Sequence, residues 1–278
     1  MHSRSGGIRL IAEARQVARP VGLYGLALGI LSAVMAFLGW HPLSAAVGTV
    51  VVMIAGLMFF QVYQAARQLD QRSRSISDSA ARAEKHYIEV LWRMVSFAES
   101  RDPYIAGHSQ RVSVLAEQLG RQMNLTLKAC EDLRLAGRLH DLGMLAVPER
   151  VTARRSHLGV DEFRTIQKHP EVGHEVLEPL ASLRDALPAV LYHHERMNGT
   201  GYPSGLKGED IPLAARVVAV ADAYDAMTHD RPHQQAIPPM AAMEELKRCS
   251  PAGYDPQCVE ALAMVKNLRQ LREVVGSV

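Results

Sequence analysis

Two long apolar runs stand near the N-terminus, Val21 to Trp40 and Leu43 to Tyr63, and neither contains a charged residue. Each is about 20 residues long, roughly 30 Å as a helix, which matches one bilayer core. Only His41-Pro42 separates them, so the pattern predicts a tight transmembrane hairpin over 21–63. Trp40 and Tyr63 stand at run ends, where interfacial aromatics are favoured. Arg4, Arg9, Arg15 and Arg19 lie in the N-terminal segment 1–20, and Arg67, Arg72 and Arg74 follow the hairpin, while the turn carries no Lys or Arg. The positive-inside bias therefore puts both termini in the cytoplasm, as expected of a multi-pass membrane protein. The Arg-bearing lead and the second apolar run argue against a cleaved signal peptide ending near Leu43-Ser44-Ala45.

Beyond the hairpin the period changes. Gln64 to Ser100 lacks Gly and Pro and is rich in Ala, Arg, Gln and Glu, so it predicts a helix. Along it Ile76, Ala80, Ala83, Tyr87, Val90, Met94 and Phe97 recur at alternating steps of four and three, an apolar seam of heptad type. Two readings of the seam stand open. It can pair copies of the chain as a homodimer through the helical linker 64–84, or its later half can pack on its own domain as a first amphipathic helix. The remainder predicts one all-α domain over 85–278. Its helices are expected from Asp102-Pro103 to about Met123, and over 127–142, 160–169, 171–180, 186–196, 214–228, 239–248 and 256–271, with a glycine-rich loop from Met197 to Ile211.

Composition narrows the partners. The 278 residues carry a net charge of +2 and only 5% aromatics, so neither a strong electrostatic partner nor a nucleic-acid polymer is indicated. Cys130, Cys249 and Cys258 have no metal-ligand spacing and make no even disulfide set, which fits a reducing compartment.

The chemistry lies in a string of imidazoles and carboxylates: His108, the pair His140-Asp141, His169, the doublet His193-His194, and Asp222. Consecutive helical residues point about 100° apart, so His140 and Asp141 can share an ion only near a helix end, which Gly143 is expected to supply. Two oxygens let Asp141 bridge two ions, while each imidazole serves one. The set has no cysteine and suits hard or borderline divalent cations. His157, His174, His229 and His233 fall outside it and read as surface or core residues.

Three stretches make the signal specific: DPYIAGHSQRV around His108, HHERMNGTGYPSGLKG from His193 to Gly208, and VADAYDAMTHDRP around Asp222. Over residues 95–260 the chain resembles the HD-GYP family, bacterial phosphodiesterases of the HD superfamily that hydrolyse cyclic di-GMP. The resemblance implies an HD-superfamily helical domain with two divalent ions, Fe or Mn. His108, His140, Asp141 and Asp222 would form one metal site. His169, His193 and His194 would complete the other, with Asp141 shared. It further implies attack of a metal-bridging hydroxide on phosphorus, displacing the ribose 3′ oxygen and giving linear pGpG, with onward hydrolysis to GMP left open. Asp141 is the expected catalytic carboxylate. Arg196 and Arg231 are candidates for contacting the substrate phosphate, Tyr202 is a candidate for stacking on guanine or for supporting its loop, and Asp225 is expected to orient a ligand.

The chain departs from the family in places. The usual HD-x-G-K reads His140-Asp141-Leu142-Gly143-Met144, so the expected ammonium is replaced by a thioether. Losing one such electrostatic contact costs on the order of 3 kcal/mol, about a hundredfold in rate. Tyr104 stands where some members place a Glu that binds a third ion, which favours two metals. Asn198 replaces the usual Asp, and His233 the usual Tyr. The sequence thus predicts a membrane-anchored cyclic di-GMP phosphodiesterase slowed by Met144. The alternatives are a low-turnover nucleotide-binding or protein-docking module, or a hydrolase of another cyclic nucleotide.

Overall fold

The computed structural model describes residues 42–152, 159–231 and 235–265, with positions 27, 29–31, 33–35 and 37. The segment 1–20 and most of the first apolar run therefore lie outside the described residues, as do His157, His233 and the end of the last expected helix. Among the described residues the structure is helical, with no β-strand. The chain divides into two compact units, Met1–Ala83 and Glu84–Val278.

Helix α1 runs from Pro42 to Ser100, joining the second apolar run to the linker without a break. That is the outcome expected of a stretch with no helix breaker after Gly56. By length and composition it is able to cross a membrane, and its apolar stretch is not buried in protein. Met53, Leu57, Met58 and Val62 are all exposed.

In the second unit the helices are α2 His108–Gln122, α3 Leu127–Leu139, α4 Glu149–Thr152, α5 Val160–Ile166, α6 His169–Leu177, α7 Leu187–Tyr192, α8 Leu213–Thr228, α9 Pro239–Cys249 and α10 Pro256–Met264. Their starts follow local chemistry. The Thr126 side chain accepts the Ala129 N–H at the head of α3, and Asp255 accepts the Gln257 N–H ahead of α10, where Pro256 fills the first turn. Helix α8 (LAARVVAVADAYDAMT) is apolar on nearly every side and is correspondingly central, packing against α2, α3, α7, α9 and α10.

Among the described residues two apolar clusters form the interior. The larger joins Val112, Leu115 and Leu119 of α2 to Leu133 of α3, Val217 and Val220 of α8, and Leu262 of α10. The smaller gathers Leu139, Leu142, Leu177, Leu183, Leu187 and Val190, and receives Val95, Trp92, Leu91 and Ile88 from α1. The last part of α1 thus packs on its own unit, but through a different face from the heptad seam. The seam itself faces outward, with Ile76 70%, Tyr87 59% and Phe97 71% exposed. One helix carries two apolar faces, and burial takes only one of them.

Several boundaries differ from the sequence reading, among them that of the helix expected over 186–196, which ends at Tyr192 with His193 as its cap residue. The helix expected from Asp102 begins at His108, after Gly107 at φ 70°. The segment before it is a run of turns in which the Asp102 carboxylate accepts the Tyr104 N–H at 3.0 Å. The helix expected to reach Leu142 ends at Leu139, with His140 as its cap residue, and Leu142–Ala146 forms a separate 3-10 turn. The helix expected from Glu171 starts at His169. Each shift moves a histidine of the string to a helix end, where its side chain is freed from the helical surface lattice.

Candidate metal centre

The seven residues of the string converge. The ligand-capable atoms of Asp141, His169, His193 and His194 lie within 4.8 Å of one another, as do those of His108, His140 and Asp222. Asp141 stands between the groups. Its Oδ1 is 3.1 Å from His169 Nε2 and 4.0 Å from His193 Nε2, whereas its Oδ2 is 3.4 Å from His140 Nε2 and 3.8 Å from His108 Nε2. His108 Nε2 is also 3.4 Å from Asp222 Oδ1. The two carboxylate oxygens therefore address different histidine pairs.

The tautomers follow from the other ring nitrogens. His140 Nδ1 lies 2.9 Å from Gly137 O, His169 Nδ1 2.8 Å from Ile166 O, and His193 Nδ1 2.8 Å from Val190 O. A carbonyl can only accept, so each Nδ1 must carry the proton and each Nε2 presents a lone pair inward. The same offset of three residues recurs because each histidine closes a helical turn and can reach the carbonyl one turn back. His140 is 1% exposed and its Nε2 has no hydrogen-bond partner. His169 Nε2 and His193 Nε2 face each other at 3.3 Å. Lone pairs held so close in a buried space call for a cation between them. The donor set, neutral imidazole with carboxylate, fits divalent Fe, Mn, Co, Ni or Zn.

The site's own electrostatics separate the histidines: burial lowers His193 and His194, whereas at His140 burial is outweighed by the charge and hydrogen bond of Asp141, which raise it. Burial holds His193 well below the ordinary imidazole range, and the neighbouring imidazoles of His194 and His140 push the same way. Burial also brings His194 down to about 4 against the opposing charge of Asp222. Burial acts to raise Asp141, yet the charge and hydrogen bonds of His140 and His169 outweigh it and hold the carboxyl well below its usual range. His108 goes the other way. Burial pushes it down, but its bonds to Asp222 and Asp225 lift it to about 10.

Supporting residues fix these side chains. Asp225 Oδ2 accepts from His108 Nδ1 at 2.7 Å, and the same carboxylate takes Arg111 Nε at 2.6 Å, Arg111 Nη2 at 3.0 Å and His229 Nδ1 at 3.2 Å. Arg111 went unnoticed in the sequence. Its position three residues after His108, on the same helix face, was the available signal. Gly143 has a different task from the one expected. The helix has already ended, and what Gly143 permits is close approach: a Cβ there would sit 2.0 Å from His169 O.

The remaining candidates are placed variously. The Tyr202 ring stacks on His194 at 4.7 Å between centroids and 27° between planes, and its N–H donates to His194 O at 3.3 Å. It thereby supports a member of the string. Asn198 Oδ1 accepts the N–H and hydroxyl of Thr200 at 3.0 and 2.7 Å, shaping the loop without a charge. Glu195, buried beside the doublet, accepts the Ser204 N–H at 2.7 Å. The Arg196 guanidinium lies 5.0 Å over the Tyr254 ring and donates to Glu195 O at 3.1 Å. Arg231 lies just beyond the end of α8 and is half-buried, and no contact among the described residues joins it to the seven.

The HD domain family matches residues 94–258. The chain is 34% identical over 222 residues to the cyclic di-GMP phosphodiesterase response regulator RpfG of Xanthomonas campestris, covering 75% of this chain and 58% of that protein. It is 32% identical over 183 residues to the 3'3'-cGAMP-specific phosphodiesterase 3 of Vibrio cholerae, covering 66% and 40%. It is 33% identical over 180 residues to a cyclic di-GMP phosphodiesterase of Thermotoga maritima, covering 64% and 49%. The chain thus spans about half the length of these curated relatives. Among solved structures, a HDG"Y"P protein from Bdellovibrio bacteriovorus shares the fold at TM-score 0.50 and 20% identity, over 71% of this chain and 68% of that one. A cyclic GMP-AMP specific phosphodiesterase of V. cholerae does so at TM-score 0.53 and 21% identity, over 69% and 51%.

Proposed function

The chain belongs to the HD domain family, with the motifs of its HD-GYP branch, and from that premise we propose that it is a metal-dependent phosphodiesterase acting on cyclic di-GMP. The observation that carries the proposal is the inward set of Nε2 lone pairs fixed by Nδ1 hydrogen bonds, with the two oxygens of Asp141 addressing separate histidine pairs. His108, His140 and Asp222 would hold one divalent cation, and His169, His193 and His194 the other, with Asp141 between. When bound, such a pair supplies an activated water and neutralises charge on the phosphoryl oxygens. Fe or Mn is the assignment that the resemblance supports.

The chain's own residues do the rest. The carbonyls of Gly137, Ile166 and Val190 hold three imidazoles in the ligating tautomer, and Asp225 holds His108. Tyr202 keeps the His194 ring in place by stacking. Arg196 and Arg231 are the proposed contacts to the substrate phosphates. Met144, two residues past Leu142, leaves the position of an expected ammonium uncharged, so turnover is slow. The proposed product is linear pGpG.

The catalytic unit sits on the cytoplasmic side of a bacterial inner membrane, both termini inside, anchored by a hairpin of which α1 supplies the second helix. The exposed apolar side chains at the start of α1 support this, since so large a patch marks lipid or a partner. The outward seam from Ile76 to Phe97 supports a homodimer. Replacing both Val90 and Phe97 by Lys then yields monomers in light-scattering measurements, and an unchanged mass refutes the pairing.

The functional test uses the full chain in detergent micelles, loaded anaerobically with Fe2+ or Mn2+, with cyclic di-GMP and 3'3'-cGAMP followed side by side by chromatography. Conversion of cyclic di-GMP to pGpG is the expected result. Metal-loaded protein that binds the nucleotide without turning it over would sink the enzyme reading and leave a binding module. Preferential loss of 3'3'-cGAMP would redirect the substrate, as the names of the V. cholerae relatives suggest.

A further inference from the structure

We propose that Glu99 is a positioning residue for the His108 half of the site, because it caps from outside the helix whose first residue is His108. The inference rests on the two-cation reading above. Helix α2 opens after Gly107, which has no side chain with which to cap it. The first turn of a helix leaves backbone N–H groups without intrahelical acceptors, and Gly107 cannot satisfy them. At this end of the helix the His108 N–H goes to Ile105 O at 3.0 Å and the Arg111 N–H to Gly107 O at 3.1 Å. The Ser109 N–H is taken by Glu99 Oε1 at 2.9 Å, and the Ser109 hydroxyl donates to the same oxygen. Ser109 is 0% exposed, so water offers no substitute for this bond.

Glu99 is itself unusual. It lies in the last turn of α1 and is 6% exposed, and its second oxygen, Oε2, has no hydrogen-bond partner. A buried carboxyl oxygen without a partner is costly and asks for an explanation. Burial raises the pKa of the group, and the charges of His108 and Asp141 act on it, so the carboxyl lies within electrostatic reach of the candidate metal centre. The bonds to Ser109 fix the backbone of the first turn of α2, and Asp225 at 2.7 Å fixes the imidazole ring of His108. Together they set where His108 Nε2 points. The other group of residues does not depend on Glu99, because His169 is oriented by the carbonyl of Ile166 at the end of α5 and His193 by that of Val190 in α7.

The test titrates Mn2+ into the full-length wild type, Glu99→Ala and Glu99→Gln, reading ions bound per chain and the paramagnetic resonance of the bound metal. Wild type takes up two ions with the signal of a coupled pair. Glu99→Ala keeps one tight ion, loses the coupled signal, and binds the second on the order of 10- to 100-fold more weakly, the range for residues that orient ligands. Glu99→Gln keeps an acceptor for Ser109 and stays within a few-fold of wild type. The inference is overturned if Glu99→Ala binds both ions at wild-type affinity, or if both ions weaken equally alongside a lower melting temperature. A wild type that fails to take up two ions brings down the two-cation reading itself, a failure distinguishable from that of the cap.

Discussion

Replacing Gly143 by Ala inserts one methyl group at the tightest backbone contact of the site. The added Cβ would lie 2.0 Å from His169 O, 2.8 Å from His169 C and 2.8 Å from Gly173 N. Real Cβ contacts essentially never fall below 3.0 Å, so the segments must separate by at least 3.0 − 2.0 = 1.0 Å. All three neighbours are backbone atoms, and no rotamer change relieves them. Gly143 lies two residues after Asp141, and His169 is the residue it strikes, so the separation acts directly on the 3.1 Å approach of Asp141 Oδ1 to His169 Nε2. Overpacking of this kind costs about 1–3 kcal/mol in stability. A misplacement of about 1 Å at reacting groups costs roughly a hundredfold in rate, or about 2.7 kcal/mol of transition-state stabilisation. The assay is steady-state hydrolysis of cyclic di-GMP by the Mn2+-loaded enzyme, with thermal unfolding followed in parallel. Gly56→Ala serves as the control, since nothing lies within 4 Å of its added Cβ. Turnover and Mn2+ affinity of Gly143→Ala within about threefold of wild type would refute the reasoning, because the contact would then transmit nothing to the ligands.

Other outcomes follow from the same geometry. On the proposed function, Met144→Lys supplies the ammonium that the family resemblance implies and raises kcat by up to about a hundredfold, and an unchanged rate shows that Met144 is not the constraint. Asp225→Asn removes the charge that holds both His108 and Arg111, and it weakens Mn2+ binding by about 10- to 100-fold in direct titration. Retained affinity would count against its orienting role. For pH the sign is set by His108, which Asp222 and Asp225 lift to about 10 over the opposing effect of burial. A group so raised is protonated at neutral pH and must release its proton to bind a metal. Apparent affinity therefore rises about tenfold per pH unit for one displaced proton, up to about pH 10. Calorimetry in buffers of different ionisation enthalpy measures that release, and its absence contradicts the assignment.

Much of the site is legible in the sequence because its chemistry is carried by residue identity. Imidazoles and carboxylates in three specific stretches name the seven members of the string, and two oxygens on Asp141 suggest its place between two groups. The all-α architecture is legible too, since helical periodicity and the lack of breakers are local properties. The boundaries are not, and they matter most here. His108, His140 and His169 each sit at a helix end because Gly107, the cap geometry at His140 and the approach of Gly143 to His169 are settled by neighbouring segments. The carbonyl partners of the Nδ1 atoms, the bidentate Arg111–Asp225 pair and the bond from Glu99 to Ser109 leave no period in the sequence, because they join groups by distance in space. The heptad seam shows the same division. Its spacing is plain from Ile76 to Phe97, yet which of the two apolar faces of α1 is buried depends on what packs against it. The tertiary structure gave that place to Ile88, Leu91, Trp92 and Val95. Sequence alone fixes which side chains a helix presents on each face, and only the packed chain decides which face loses its water.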